Sequence, residues 1–319
     1  MRACVWLGAE GSGDLGDFAV VFARACVPLL DGRHAVGHDT ALANAEPGLT
    51  SSPTARLQLA IDTAIEAGDV LLKHFGTKLS IETKSNTIDL VTTADRAAEG
   101  VVLARLSAGE PDYAILAEES GRREGKQGAP QWVVDPLDGT TNFAHRYPHY
   151  SVSIGLIEDG VPVLGVVHDP NRGETFYAER GGGAWLHTAG ARGGPEPVRT
   201  HVTETTALSH AVLATGFGYD RATAQRNNVA EFSRVIAKVR GIRRAGSAAL
   251  DLAWVAAGRL DGYWEFGLAP WDWCGGAVLV QEAGGIVETI DGGPWSLDAP
   301  SCCVGSASMV GTMLGALRQ

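Results

Sequence analysis

The sequence predicts an α+β protein built of layered sheets and helices. Three observations predict it: an amphipathic helix opening near residue 53, a series of short strands with hairpin turns between about 113 and 187, and an alternation of strands and helices from 211 onward. At 319 residues, 45% hydrophobic and 20% charged, the chain can form two compact units or one large α/β body, and this composition excludes a disordered scaffold. Lys and Arg total 26 against 37 Asp and Glu, a net charge of −11. That balance argues against broad contact with nucleic-acid backbone, which is bound largely by neutralising phosphates with basic side chains. An anionic substrate would then call for a local source of positive charge, and a divalent metal is one.

Residues 1–52 stand apart. From 30 to 52 there is little apolar periodicity and frequent Gly, Pro, Asn, Ser and Thr, so the segment reads as a poorly ordered or accessory N-terminal extension. Gly11-Ser12-Gly13-Asp14-Leu15-Gly16 has the GxGxxG form of a dinucleotide-binding turn, but nothing after Leu30 offers the second parallel strand such a site requires. The apolar stretch 18–30 is too short to span a bilayer, contains Arg24 and Pro28 and lacks a basic flank, so no membrane segment or signal peptide is expected. Cys4, Cys26, Cys274, Cys302 and Cys303 form no CxxC or Cys/His spacing and read as reduced thiols of a cytoplasmic protein.

The first helix is expected to be capped by Ser52, with Pro53 at its first position, and to bury Leu57, Ile61, Ile65, Leu72 and Phe75 beside the small Ala64 and Gly68, ending at Gly76. Residues 79–90 read as a strand and turn, 94–106 as a second helix, and 113–117 and 131–134 as short strands ending in acids. Strands 151–157 and 161–168 are joined through Asp159-Gly160, a hairpin signal, and 174–179 and 184–187 continue the meander across Gly181-Gly182-Gly183. The Gly/Pro-rich connection 191–200 marks a boundary. It separates an N-terminal α+β half, 53–195, with the antiparallel sheet and most acidic candidates, from a C-terminal α/β half, 196–319. The latter is expected to run strand 211–214, helix 226–239, helix 247–257, strand 261–266, helix 272–283, strand 286–289 and a final helix.

The strongest chemical signal is Trp132-Val133-Val134-Asp135-Pro136-Leu137-Asp138-Gly139-Thr140-Thr141-Asn142-Phe143. An apolar strand delivers Asp135 at its carboxyl end, Leu137-Asp138 is expected to turn a second carboxylate back toward it, and Gly139-Thr140 to open a helix whose amides face a phosphate oxygen. Two carboxylates about 4 Å apart repel by roughly 4 kcal/mol at an effective dielectric of 20, so such a pair calls for a cation or a proton between them. The bland alternative is that both acids merely cap a turn. Glu118 also emerges at a strand end, Asp272 opens a helix after Pro270, and Asp95 opens another after Thr92-Thr93. Oxygen ligands without convergent His or Cys favour Mg²⁺ over zinc. His145 and His149 read as packing or surface residues.

Taken together, Asp135-Pro136-Leu137-Asp138-Gly139-Thr140-Thr141-Asn142-Phe143, the upstream Glu118-Glu119-Ser120 and the downstream Trp271-Asp272 resemble the signatures of the inositol monophosphatase family, over the chain from about residue 54 to its end. The resemblance implies an αβαβα sandwich, a cytoplasmic homodimer and a Mg²⁺-dependent, lithium-sensitive phosphatase with two or three Mg²⁺ ions. It makes Glu118, Asp135 and the carbonyl of Leu137 ligands of one metal and Asp135, Asp138 and Asp272 ligands of a second. Thr140, supported by Asp95 and Glu118, would orient the attacking water, and Lys84 would lie near a loop closing over the metals. Glu118, Leu137, Asp138, Gly139, Thr140, Gly246, Ser247, Ala248, Glu265 and Asp272 would contact substrate. Ala117 departs from a common glycine and Cys274-Gly275-Gly276 from common alanines, without removing a ligand.

The implied reaction is hydrolysis of a small polyol phosphate monoester, foremost myo-inositol monophosphate, by direct attack of water. Histidinol phosphate is the leading alternative substrate, with fructose 1,6-bisphosphate and nucleotide phosphates beside it. A non-catalytic regulatory binding protein on the same fold is the alternative of another class. Neither nucleic acid nor membrane is an expected partner.

Overall fold

The computed structural model describes residues 53–84, 90–189 and 196–319, all within one compact unit. The expectations for residues 1–52, including the motif at 11–16 and the Ser52 cap, lie outside them.

Helix α1 (Ala55–His74) starts two residues later than expected, because Thr54 is the N-cap, its hydroxyl accepting from the Leu57 amide. Its buried stripe is centred on Ala60, Ala64, Ala67 and Leu71 rather than on Leu72, which is exposed. Small side chains let the helix lie close to its neighbours, so the packing face follows the alanines. Strands β1 (Ile81–Thr83) and β2 (Leu90–Thr92) pair antiparallel, and α2 (Thr93–Gly109) follows at once. A reciprocal capping box of Thr92 and Asp95 fixes its start.

Eight strands form the first sheet: β3 (Ala114–Ala117), β4 (Gly121–Arg123), β5 (Gln131–Asp138), β6 (Ser151–Glu158), β7 (Val161–Asp169), β8 (Glu174–Glu179), β9 (Ala184–Thr188) and β10 (Val198–Thr200), in the order β10-β9-β8-β7-β6-β5-β3-β4. Only β3 and β5 run parallel; the remaining pairs are antiparallel. Strands β4 and β10 were not foreseen. Both are three-residue edge strands with exposed side chains, which leave no apolar signal.

After the five-residue helix α3 (Thr140–Ala144) and this meander, five strands form the second sheet: β11 (Val212–Thr215), β12 (Gly241–Arg243), β13 (Gly262–Phe266), β14 (Ile286–Glu288) and β15 (Ser301–Gly305), ordered β12-β11-β13-β15-β14. The helices of this half are α4 (Val229–Ile236), α5 (Ala248–Ala256), α6 (Pro270–Glu282) and α7 (Ala307–Leu317). Helix α4 is shorter than the expected 226–239. It begins only after Asn228, which adopts the left-handed conformation and turns its amide inward.

Helices α1 and α2 cover one face of the eight-stranded sheet, and α6 with α5 covers the other. Helix α5 also packs on β11, β13 and β15, and α7, paired with α4, lies against β14 and β15. The layers are therefore αβαβα. Helix α6 sits unusually deep against the first sheet. Gly155 and Gly165 face each other across β6 and β7, and a Cβ on either would collide with the α6 backbone or the Cys274 side chain. A Cβ on Gly275 would stand 3.0 Å from the Ile154 carbonyl oxygen, and one on Gly276 would stand 2.6 Å from the Leu252 Cβ. Gly155, Gly165 and Gly275 thus make a notch that lets the helix bearing Asp272 seat directly on the sheet bearing Asp135.

Candidate active site

The ends of three elements, β3, β5 and α6, carry the acidic candidates. The strand continues past residue 134 through Asp138 with a register shift between Asp135 and Asp138, so Leu137-Asp138 is an irregular strand end rather than the turn expected from sequence. The Leu137 amide donates to Asp135 Oδ1 at 2.9 Å, a local turn that holds the kink. Glu118 follows β3, and its amide donates to the Val134 carbonyl at 3.2 Å, which carries it to the same end of the sheet. Asp272 sits in the first turn of α6 and accepts from the Ala269 amide at 2.7 Å.

Burial is the main reason that the carboxyl of Asp135 lies well above the usual carboxylate range, and repulsion from Glu118, Asp138 and Asp272 adds to it. Asp272 is raised well above that range for the same reasons, with Asp138 and Glu118 as its charged neighbours. Asp138 is pushed up to about 6 by burial, against hydrogen bonds from the Ser247 hydroxyl at 2.6 Å and the Ala249 amide at 2.8 Å. The expected acids thus lie within electrostatic reach of one another.

Among the described residues no three such side chains stand close enough together to hold a metal ion in this arrangement. Each carboxylate is engaged elsewhere: Asp138 with Ser247, Asp272 with its helix cap, Asp135 with Leu137, and Glu118 with Lys84, whose ammonium lies 2.8 Å from Glu118 and 2.6 Å from Glu119. The donor set still fits a hard divalent cation, because the buried Asp135 and Asp138, the half-buried Glu118 and Asp272 and a strand-end carbonyl are oxygen donors, and such an ion offsets the repulsion among the acids.

Asp95 accepts from both the amide and hydroxyl of Thr92 through Oδ2 and faces the Thr140 hydroxyl with Oδ1 at 2.9 Å. That hydroxyl also lies 3.1 Å from the Leu137 carbonyl oxygen. Burial raises Asp95, with the hydrogen bonds from Thr92 and Thr140 opposing it. Gly139 caps α3 at φ 103°, in the left-handed region that favours glycine. The Asn142 side-chain amide bridges the carbonyls of His149 at 2.7 Å and Ala245 at 2.8 Å, which ties the Gly246-Ser247-Ala248 segment to the β5 loop. The sequence run contained Asn142, but no rule assigned it a positioning role.

Beside the acids opens a cavity of about 520 Å³, lined in part by Asp138, Ser247, Asp251, Glu265, Arg244 and Asp272. Burial pushes Glu265 up to about 7, opposed by a hydrogen bond from the Tyr263 hydroxyl and by Arg244. Asn228 donates to the Gly216 carbonyl at 2.6 Å and accepts from the Trp264 indole at 2.7 Å, bracing both strands under Glu265. His149 is buried edge-on against Trp254, and burial holds its imidazole down at about 4, whereas His145 is exposed at the cavity rim. Asp251 was singled out by no sequence argument; it lies in the first turn of α5 and is nearly inaccessible.

The family profile of the inositol monophosphatases matches residues 53–319. An inositol-1-monophosphatase of Synechocystis sp. is 45% identical over 241 residues, covering 76% of this chain and 81% of that protein. The Nus factor SuhB of Escherichia coli (strain K12) is 39% identical over 263 residues, 82% of this chain and 95% of its own length. Among solved structures, the inositol monophosphatase of Anabaena (Nostoc) sp. superposes with a TM-score of 0.72 at 42% identity, covering 83% of this chain and 95% of that one.

Proposed function

The chain belongs to the inositol monophosphatase family and is a phosphatase of the sugar-phosphate type, and from that premise we propose that it hydrolyses a small polyol phosphate monoester, foremost myo-inositol monophosphate, with Mg²⁺ bound at the acidic cluster. The observation that carries this reading is that Glu118, Asp135, Asp138 and Asp272, borne by three strand or helix ends, act electrostatically on one another beside a cavity that holds further hydrogen-bonding side chains.

In this reading Glu118, Asp135, the Leu137 carbonyl, Asp138 and Asp272 hold two or three Mg²⁺ ions. Bound there, the metal supplies neutralisation of phosphoryl and leaving-group charge and lowers the pKa of a water molecule. The side chains do the rest. Thr140, oriented by Asp95, accepts a hydrogen bond from the attacking water and aims it in line, with Glu118 nearby to take its proton. The water oxygen bonds phosphorus as the bond from phosphorus to the alcohol oxygen breaks, and no enzyme side chain becomes phosphorylated. Gly139 and Thr140 amides face the phosphoryl oxygens. Gly246, Ser247, Ala248 and Glu265 receive the alcohol portion. Lys84, paired with Glu118 and Glu119, restrains the approach to the acids. Sensitivity to Li⁺, a homodimeric assembly and a cytoplasmic setting belong to the same proposal.

The test is turnover of a panel of phosphate esters, including myo-inositol 1-phosphate, histidinol phosphate, fructose 1,6-bisphosphate and a nucleotide, with Mg²⁺, with and without Li⁺. The expected result is Mg²⁺-dependent release of phosphate, greatest for the inositol ester and inhibited by Li⁺. A larger kcat/KM for histidinol phosphate overturns the substrate assignment. A regulatory binding role has one observation behind it, the similarity to a protein named as a Nus factor. The complete acidic set argues for turnover, and the absence of turnover on every ester would favour the binding role.

A further inference from the structure

Two carboxylates on the cavity wall, away from the β5 kink, are poorly served by the protein itself. Asp251 is 2% exposed and its Oδ1 is buried without a hydrogen-bond partner among the described residues. Glu265 is 9% exposed, and its carboxylate lies so close over Gly216 that any Cβ there would collide with it. The Tyr263 hydroxyl donates to Glu265 Oε2, whereas among the described residues no donor serves Asp251 Oδ1. Both residues line the cavity that opens beside Asp138 and Asp272. A first-turn acid on a helix is ordinarily explained by the helix dipole, but that explains an acid in water, not one buried with an orphaned oxygen.

We propose that Asp251 is a specificity-determining residue that, with Glu265, accepts hydrogen bonds from adjacent hydroxyl groups of the substrate alcohol. The inference deepens the polyol-phosphate reading and rests on it. A buried acceptor without a donor costs stability, and a ligand that brings donors removes that cost. Arg244 lines the same cavity and acts electrostatically on both carboxylates. Its positive charge favours a neutral hydroxyl over an ammonium as the incoming donor. The bare Gly216 leaves room for the Glu265 carboxylate, and Asp251 on the wall of the same cavity supplies the second acceptor.

The experiment uses the full chain with Mg²⁺ and compares kcat/KM for myo-inositol 1-phosphate, histidinol phosphate and p-nitrophenyl phosphate in the wild type, Asp251→Asn and Asp251→Ala, together with melting temperatures. The expected result is a fall of about 10- to 100-fold in the preference for the inositol ester over the aryl ester, with a melting temperature at or above that of the wild type. A structural residue would instead lower the melting temperature and turnover of all esters together, and that result overturns the proposal. A wild-type preference for the inositol ester that survives in both variants overturns the assignment of Asp251 alone. A wild type without that preference overturns the polyol reading itself. A preference for histidinol phosphate that is lost in Asp251→Asn makes the donor an ammonium and overturns the hydroxyl assignment.

Discussion

Asp135 is a crowded acid, with burial and three charged neighbours acting on one carboxyl. Replacing it by Asn removes a proposed ligand and also a repulsion. Asp135→Asn and Asp272→Asn are therefore expected to lose more activity than the 10- to 100-fold typical of outer-shell partners, while the metal-free melting temperature stays level or rises. Steady-state assays and thermal melts check both halves, and near-wild-type turnover would contradict the assignment. Thr140 gives a separate test. Its hydroxyl bridges Asp95 and the Leu137 carbonyl without carrying charge, so Thr140→Val should lower kcat by roughly 100-fold and leave KM little changed, with Thr140→Ser restoring most of the rate. At this scale the sequence was informative because the acids lie in contiguous motifs at strand and helix ends. Asp251 was hidden because its helix, α5, packs against α6 and against strands of both sheets, segments far away along the chain.

At the level of elements, the glycine notch between β6, β7 and α6 determines where Asp272 stands. A methyl group at Gly165 would run into the Gly275 carbonyl and push the helix off the sheet. Overpacking of this kind costs about 1–3 kcal/mol. Gly165→Ala is expected to lower the melting temperature by several degrees and to weaken Mg²⁺ binding measured by titration calorimetry, although no ligand is altered. Wild-type affinity in a destabilised variant would separate helix seating from the site. The Cys274-Gly275-Gly276 run was legible as a departure from common alanines, but not as one wall of a notch, because Gly155 and Gly165 supply the other. Strand β15 escaped the sequence reading for a related reason. Ser301, Cys302, Cys303, Val304 and Gly305 are all buried, so the strand shows no alternation of polar and apolar residues.

Across the whole molecule the acidic cluster makes stability depend on pH and on divalent cations. Burial raises Asp138 to about 6 and Glu119 and Glu265 to about 7, all above the ordinary carboxylate values near 4. Between those values the folded protein holds protons that the unfolded chain has released, so this contribution is complete at low pH and is lost as pH rises through about 6 to 7. In chelator, the melting temperature should therefore fall between pH 5 and pH 8, and Mg²⁺ should restore more stability at pH 8 than at pH 5, because protons and cation compete for the oxygens of Asp135, Asp138 and Asp272, all raised by burial. A melting temperature that climbs with pH in chelator, or a Mg²⁺ effect that shrinks, would contradict this. The sequence by itself determined the family and the sandwich of layers, and it pointed to the acids proposed as ligands, since these depend on local motifs and on the order of strand and helix patterns along the chain. Only the tertiary structure decided that the DPLD segment is a kinked strand end, that α6 seats in a notch of glycines, and that Asp251 and Glu265 line one cavity. Such features arise where distant segments exclude water together, and no local window of residues encodes that.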